Sequence, residues 1–223
     1  MAFLDLIFPK TCLECGREGE YLCPDCMSKT KPARLICPYC YKPAIDGTTH
    51  TRCSKKLGLD GLTSIWEYEG IVRKAVLSLK YKYATELEKE LQVYIVSELK
   101  RKLFPSDAFL VPIPIHWHKE NVRGFNQSIL VGKNIASKMG WRFLPDLLIK
   151  KVSTVSQAEL SSEKRRKNLK GVFVVSTRNS PFIIPDSVIL FDDVFTTGST
   201  MREAAIVLKR AGVEKVWGLT IAR

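Results

Sequence analysis

The chain carries, from Val188 to Thr200, the stretch VILFDDVFTTGST, and this stretch decides the fold. Its first four residues are apolar, which is typical of a strand buried on both faces of a parallel sheet. Two adjacent acids follow, and a turn rich in Thr, Gly and Ser then leads into a helical pattern at 201–211, with Gly212 as its stop. The stretch therefore predicts a strand, a loop and a helix, the repeating unit of an α/β fold.

The turn has the composition of a phosphate-binding loop, because it offers backbone N–H groups, hydroxyls and the positive end of a helix. Its candidate phosphate ligands are Thr196, Thr197, Gly198, Ser199 and Thr200. Asp192 and Asp193 do not hold phosphate, but carboxylates accept hydrogen bonds from vicinal ribose hydroxyls or bind Mg²⁺. The combination predicts a ribose 5-phosphate site, and the simpler alternative is a strand followed by a capped helix.

Strand and helix patterns alternate through the rest of the chain. Strands are expected at 64–68, 109–115, 172–175, 188–191 and 216–221, and helices at 71–79, 87–99, 127–139 and 201–211. Short apolar runs separated by helices favour a parallel sheet with helices on both faces. We therefore predict an α/β fold whose ligands bind beyond the carboxyl ends of the strands.

All seven cysteines lie within the first 53 residues, and a histidine completes the last pair. The candidate ligands form four pairs, each with a two-residue gap: Cys12 and Cys15, Cys23 and Cys26, Cys37 and Cys40, His50 and Cys53. Such pairs are typical of closed tetrahedral zinc sites, so we predict two structural zinc ions, with the ligands paired sequentially. An interleaved pairing stays open, and redox-active thiols or an iron–sulfur cluster are the weaker alternatives.

The charge distribution points to a polyanionic partner. The 223 residues carry a net charge of +12, and residues 61–223 contribute 26 basic against 16 acidic side chains. No apolar run reaches the roughly 18–20 residues that a membrane span needs. The run at 2–8 lacks the basic leader and cleavage site of a signal peptide, so we expect no membrane insertion and a cytoplasmic location.

Beyond these chemical arguments, the stretch at 188–200 resembles the phosphoribosyl pyrophosphate (PRPP) signature of type I phosphoribosyltransferases. Further motifs are similar to the ComF (ComFC) family of competence proteins: Val111-Pro112-Ile113-Pro114, Arg123-Gly124-Phe125-Asn126-Gln127, Thr154-x2-Gln157-x2-Leu160, Arg165-x2-Asn168 and the cysteine pairs. The resemblance covers nearly the whole chain. It implies a zinc-ribbon module at 1–58 and a phosphoribosyltransferase-like domain at 59–223, joined through a linker at 55–63.

The resemblance also implies roles for individual residues. Asp192 and Asp193 would contact the ribose hydroxyls, directly or through Mg²⁺ bound with PRPP, and residues 196–200 would wrap the 5-phosphate. Arg123 is a candidate for the pyrophosphate loop. Residues 150–171 would form a mobile basic loop over the site, with these candidate contacts: Gln157, Arg165, Arg166 and Asn168.

Two functions remain in competition, since no residue for base recognition or nucleophile activation can be assigned. The resemblance implies a protein that binds and handles single-stranded DNA in natural transformation, retains a PRPP-type site and docks a competence helicase or DNA loader through its zinc module. The alternative is an active phosphoribosyltransferase on an unidentified nucleobase or amine.

Overall fold

The computed structural model describes residues 9–79, 84–102, 104, 108–115, 126–151, 171–176 and 184–223. Its helices are α1 (Pro24–Met27), α2 (Gly70–Ser78), α3 (Ala84–Lys100), α4 (Gln127–Met139) and α5 (Ser199–Arg210), and short 3₁₀ turns span Ile45–Gly47 and Thr51–Cys53. Its strands are β1 (Gly61–Trp66), β2 (Phe109–Pro112), β3 (Arg142–Phe143), β4 (Leu148–Lys150), β5 (Phe173–Val175), β6 (Ser187–Val194) and β7 (Lys215–Ala222).

Five strands form the main sheet in the order β1-β7-β6-β2-β3, and every neighbouring pair is parallel. The eight-residue strands β6 and β7 lie next to each other in the interior of this sheet. Because all the strands run in one direction, their carboxyl ends meet at one edge of the sheet, where ligands of open α/β sheets bind.

Helices cover both faces of this sheet, as the sequence predicts. The apolar sides of α2, α3 and α4 pack on one face with Ile189, Phe191 and Leu219. Helix α5 packs on the other face, where Ala204 and Leu208 meet Val188, Leu190 and Val216. None of the described helices combines the length and the apolar character that a bilayer crossing requires.

Helix α4 shows how local sequence sets the boundaries of an element. The Asn126 side chain accepts a hydrogen bond from the Ser128 backbone N–H at 2.9 Å and so caps the helix start. Gly140 ends the helix in the left-handed region, at φ 72°, where glycine avoids the steric penalty of a Cβ. Both boundaries agree with those predicted from sequence.

Three features differ from the sequence-based expectations. The run at 172–175 is apolar because Phe173 packs into the core beside α5, but β5 pairs antiparallel with β4 in a separate two-stranded sheet and is not a strand of the parallel sheet. The short strands β3 and β4 were not predicted. The acids Asp192 and Asp193 lie inside β6 and not after its end, because β6 continues to pair with β7 as far as Val194.

The segment at 55–63 is not a free linker. Leu59 is buried, and the strand β1 already begins at Gly61. Asp60 donates its backbone N–H to the Val216 carbonyl at 2.9 Å and accepts the Val216 N–H on its carboxylate at 2.7 Å. The predicted boundary between residues 58 and 59 therefore falls in a tightly bonded segment, and it stays a prediction.

The cysteine-rich residues 9–54, called here the zinc module, lie along the outer edge of β1. The Ala33 N–H donates to the Ile65 carbonyl at 2.9 Å, and the Glu67 N–H donates to the Lys31 carbonyl at the same distance. Near the other end of the strand, Thr48 forms a bridge with Gly61. The module is thus joined to the sheet by backbone hydrogen bonds, not only by the chain.

Candidate functional site

The acid pair lies at the carboxyl end of the central strand β6. Asp192 pairs in register with Thr220 of β7, which pairs in turn with Ser64 of β1. The hydroxyls of Ser64 and Thr220 are 2.8 Å apart and buried. A polar row therefore crosses three strands at this edge, and sequence reasoning missed its two hydroxyl members, which resemble ordinary strand residues.

Asp192 is held by two hydrogen bonds from its own neighbourhood. Its Oδ1 accepts the Asp193 backbone N–H at 2.9 Å and the Ser128 hydroxyl at 3.3 Å. Ser128 stands in the first turn of α4, so the Asn126 cap also positions a contact of the acid. Sequence analysis did not single out Ser128, since nothing in the local pattern links it to β6.

The pKa of Asp192 lies well above that of an ordinary carboxyl group. Burial, together with the negative charge of Asp193, raises the pKa of Asp192 to about 8. The Asp193 carboxylate accepts the Val194 backbone N–H at 2.7 Å. Near pH 7 Asp192 is therefore largely protonated, and a cation or a hydroxyl donor at this edge would favour its ionised form.

The phosphate loop, residues 196–200, turns directly into helix α5. Gly198 has φ 62°, and a Cβ built there would lie 2.3 Å from the Phe195 ring. Glycine is thus needed both for the backbone conformation and for the close approach of the aromatic ring. The hydroxyls of Thr197 and Ser199 are 3.0 Å apart, at the positive end of α5, which is the environment that an anion prefers.

A loop of the zinc module touches the phosphate loop. The Tyr41 hydroxyl donates to the Thr197 carbonyl at 2.9 Å, and the Arg202 Nη2 donates to the Tyr41 hydroxyl at 2.6 Å. The Arg202 Nε also donates to the Pro38 carbonyl at 3.0 Å. Its guanidinium lies over the Tyr39 ring, 5.1 Å from the centroid. These contacts between the two parts of the chain were not predicted.

The structure brings the eight candidate metal ligands into two groups whose donor atoms lie within 4.8 Å of one another. The first zinc group is Cys12, Cys15, Cys23 and Cys26, and the second zinc group is Cys37, Cys40, His50 and Cys53. This is the sequential pairing. In the first group the Cys15 and Cys23 sulfurs are 3.8 Å apart, which fits tetrahedral zinc with zinc–sulfur bonds of about 2.3 Å.

His50 is oriented as a ligand of the second zinc group. Its Nδ1 lies 3.3 Å from the Cys40 sulfur, and its Nε2 lies 3.0 Å from the Pro43 carbonyl. A proton on Nε2, donated to Pro43, leaves the Nδ1 lone pair free for a metal. The donor set therefore fits zinc at both groups, and such closed sites supply folding stability, not catalysis.

One thiol in each group ionises easily. Burial opposes the charge on Cys12, but backbone hydrogen bonds outweigh it and lower the pKa to about 6. The same balance lowers the pKa of Cys37 to about 7. Burial raises the pKa of Cys26 to about 12, so metal binding would have to displace its proton.

A groove of about 590 Å³ runs between the second zinc group and α5. It begins at Ser199 of the phosphate loop and passes Arg202. Arg52 and Lys55 line its other wall, while Glu203 is the acid among its lining residues. The groove therefore continues the phosphate loop with a positively charged surface.

Several predicted contacts lie outside the described residues. These are Arg123 of the pyrophosphate loop and the mobile-loop candidates Gln157, Arg165, Arg166 and Asn168. Of the predicted PRPP contacts, the structure thus brings together Asp192, Asp193 and the phosphate loop, all at one edge of the sheet.

Comparison with known proteins gives relatives over most of the chain. A family model described as a double zinc ribbon domain matches residues 3–54. Competence protein F of Haemophilus influenzae is 36% identical over 118 residues, so the match spans 51% of this chain and about half of that protein. DNA utilization protein YhgH of Escherichia coli K12 is 26% identical, and the match covers 89% of each chain. Competence protein ComFC of Bacillus subtilis is 27% identical over 93% of this chain and 86% of that protein.

Among solved structures, adenine phosphoribosyltransferase from Leishmania donovani aligns with a TM-score of 0.35 and 18% identity, over 60% of this chain and 52% of that one. The enzyme from Trypanosoma brucei aligns with a TM-score of 0.33 and 19% identity, over 60% and 51%.

A double zinc ribbon followed by a helix-flanked parallel sheet defines the class: an α/β protein with an N-terminal zinc module. The named relatives and the zinc ribbon together support a ComF family protein. The family resemblance and the fold class expected from sequence are both confirmed.

Proposed function

We propose that this chain is a competence protein that binds and handles single-stranded DNA during DNA uptake, and that it carries a PRPP-type ribose 5-phosphate site. The relatives named competence protein F, competence protein ComFC and DNA utilization protein YhgH support the DNA-handling role. The observation that carries the ligand site is the placement of the acid pair and the phosphate loop together at the carboxyl edge of β6.

The charges of the proposed site indicate which residues would bind which part of the ligand. The phosphate loop presents hydroxyls and a helix N-terminus to a 5-phosphate, while Asp192 and Asp193 accept hydrogen bonds from the ribose hydroxyls. Mg²⁺, if it arrives with PRPP, would take carboxylate oxygens of the same pair and release the proton that Asp192 carries near pH 7.

The charge of the molecule supports a nucleic-acid partner. Residues 61–223 carry ten more basic than acidic side chains, and the groove next to the phosphate loop adds Arg52 of the zinc module and Lys55, which follows it. A positively charged groove that follows a phosphate site suits a strand backbone better than it suits a double helix. The zinc module is also the proposed docking surface for a competence helicase or DNA loader.

Fluorescence anisotropy of a labelled single strand, titrated at several salt concentrations with and without PRPP and Mg²⁺, tests this proposal. We expect salt-sensitive binding that PRPP displaces or weakens, since the strand would run past the phosphate loop. An affinity for single-stranded DNA that PRPP does not change would mean that the strand binds to a separate surface. No binding at any salt concentration would refute the DNA-handling role.

An active phosphoribosyltransferase is the second candidate, favoured by the intact acid pair and phosphate loop. It requires release of pyrophosphate from PRPP in the presence of Mg²⁺ and an acceptor nucleobase or amine. The double variant Asp192→Asn with Asp193→Asn should abolish that release. Absence of release from the wild-type protein across a broad panel of acceptors would count against this candidate.

A further inference from the structure

We infer that Tyr41 is a positioning residue that couples the second zinc group to the conformation of the phosphate loop. The inference rests on the proposed ribose 5-phosphate site for its ligand, but its structural part stands on contacts of the described residues alone. It assigns to the zinc module a direct part in holding the ligand loop, beyond folding and docking.

The first step concerns how the metal ligands fix Tyr41. Tyr41 directly follows Cys40, and its backbone N–H donates to the Cys37 carbonyl at 3.0 Å. Its φ of 60° is in the left-handed region, which a residue other than glycine occupies only where its surroundings impose it. The turn that brings Cys37 and Cys40 to one metal therefore also sets the direction of the Tyr41 side chain.

The second step concerns what Tyr41 holds. Its hydroxyl donates to the carbonyl of Thr197, inside the phosphate loop and next to Gly198, whose φ is 62°. Its ring lies near Phe195, with the ring centroids 6.4 Å apart. The Phe195 ring in turn occupies the place that a Cβ at Gly198 would need. Tyr41 thus contacts Thr197 within the phosphate loop and Phe195 immediately before it.

The third step is the role of Arg202. This side chain, in the first turn of α5, donates to the Tyr41 hydroxyl and to the Pro38 carbonyl, so it ties the helix to the same cysteine turn. A cation at a helix N-terminus is unfavourable for the helix dipole. Its bonds to the zinc module offset that cost, and its charge adds positive potential beside the proposed anion site.

Coupling between the two sites must be reciprocal. If an ordered second zinc group favours the binding-competent loop, a bound phosphate ligand favours zinc retention by the same factor. The first zinc group offers a matched comparison, because it contacts α3 and not the phosphate loop: the Tyr94 hydroxyl donates to the Leu22 carbonyl at 3.2 Å.

The test compares Tyr41→Phe with Tyr94→Phe, since each removes one hydroxyl that donates to a carbonyl beside a zinc group. The first readout needs no ligand: amide hydrogen exchange at Arg202, whose N–H donates to the Gly198 carbonyl at 2.9 Å. We expect exchange in Tyr41→Phe to be about threefold faster, a small change because Tyr41 is 45% exposed and water partly replaces the bond. Tyr94→Phe should match the wild type, and all three proteins should retain two zinc ions.

The second readout is calorimetric titration with ribose 5-phosphate, where Tyr41→Phe should weaken binding about threefold and Tyr94→Phe should not. In the wild type, saturating ribose 5-phosphate should slow zinc transfer from the second group to a chelator. A wild-type protein that binds no ribose 5-phosphate would refute the proposed ligand site, while the exchange data would still decide the role of Tyr41. Equal exchange at Arg202 in wild type and Tyr41→Phe would overturn the inference.

Discussion

At the residue scale, Gly198 is under two separate constraints. Its φ of 62° disfavours any side chain, and the Phe195 ring occupies the place of a Cβ. We expect Gly198→Ala to lower the free energy of unfolding by about 1–3 kcal/mol and to weaken ribose 5-phosphate binding. Urea denaturation and calorimetry measure the two effects.

Gly140→Ala is the matched control, because Gly140 has φ 72° but nothing within 4 Å of its Cβ position. That variant should show only the backbone cost of about 1 kcal/mol and unchanged ligand binding. Equal losses of stability and of affinity in both variants would mean that the Phe195 contact is unimportant.

Asp192 makes stability depend on pH. Its pKa is raised from 3.8 to about 8 in the folded protein, so between these values the native state binds more protons than the unfolded state. Stability should therefore fall as the pH rises from about 4 to 8, by up to about 1.4 kcal/mol per pH unit. Denaturation of wild type and Asp192→Asn at pH 5 and pH 8 measures this difference.

The Asp192→Asn variant should lose most of that slope and be relatively more stable at pH 8. Asp146→Asn, which changes an exposed acid beyond the core, should retain the wild-type slope. A slope that is the same in all three proteins would contradict the assigned environment of Asp192.

At the scale of elements, the groove between the zinc module and α5 has a measurable charge. Arg52→Ala and Lys55→Ala should each reduce the steepness of the plot of log affinity against log salt for single-stranded DNA by about 0.7, the value for one phosphate contact. Lys138→Ala, an exposed substitution on α4, should leave the slope unchanged. If only Lys138→Ala changes it, the strand takes another path.

The sequence predicts elements well where the signal is local. The boundaries of α4 follow from Asn126 and Gly140, and the main parallel strands follow from apolar runs between helices. The pairing of β5 with β4 was missed because an apolar run such as 172–175 reads the same in either kind of sheet. The hydrogen bonds between strands distinguish a parallel from an antiparallel sheet, and they join residues that are far apart in sequence.

The candidate site shows the same limit. Its acids and phosphate loop lie in one continuous stretch and could be predicted from it. Ser128 and Tyr41 reach the site only through tertiary contacts, across 64 and 156 residues of sequence. The available signal was the pair of tyrosines on either side of Cys40, Tyr39 and Tyr41, but the local pattern indicates only a metal ligand turn.

At the scale of the whole molecule, the two parts of the chain share a core. Leu22 and Met27 of the zinc module belong to the same buried cluster as Leu91 and Ile95 of α3. We expect removal of zinc to unfold residues 10–55 and also to lower the melting temperature of the remainder, because the removed contacts expose apolar surface on α3. Circular dichroism melts before and after chelation, with metal analysis giving two zinc ions per chain, test this.

Re-addition of zinc is the control, and it should restore both transitions. A melting temperature of the remaining domain that does not change on chelation would mean that the shared cluster contributes little. A metal content near zero in protein purified without chelator would refute the zinc sites themselves.

The hydrogen bonds from residues 31–33 and 48–49 to β1 have a consequence for the apo protein. β1 is the outermost strand of the parallel sheet, and the zinc module occupies its open side. When the module unfolds, β1 presents an unpaired row of N–H and C=O groups on a strand whose residues are all buried in the folded chain. Such an edge is a template for pairing with a second chain, so we expect bound metal ions also to protect this protein against aggregation.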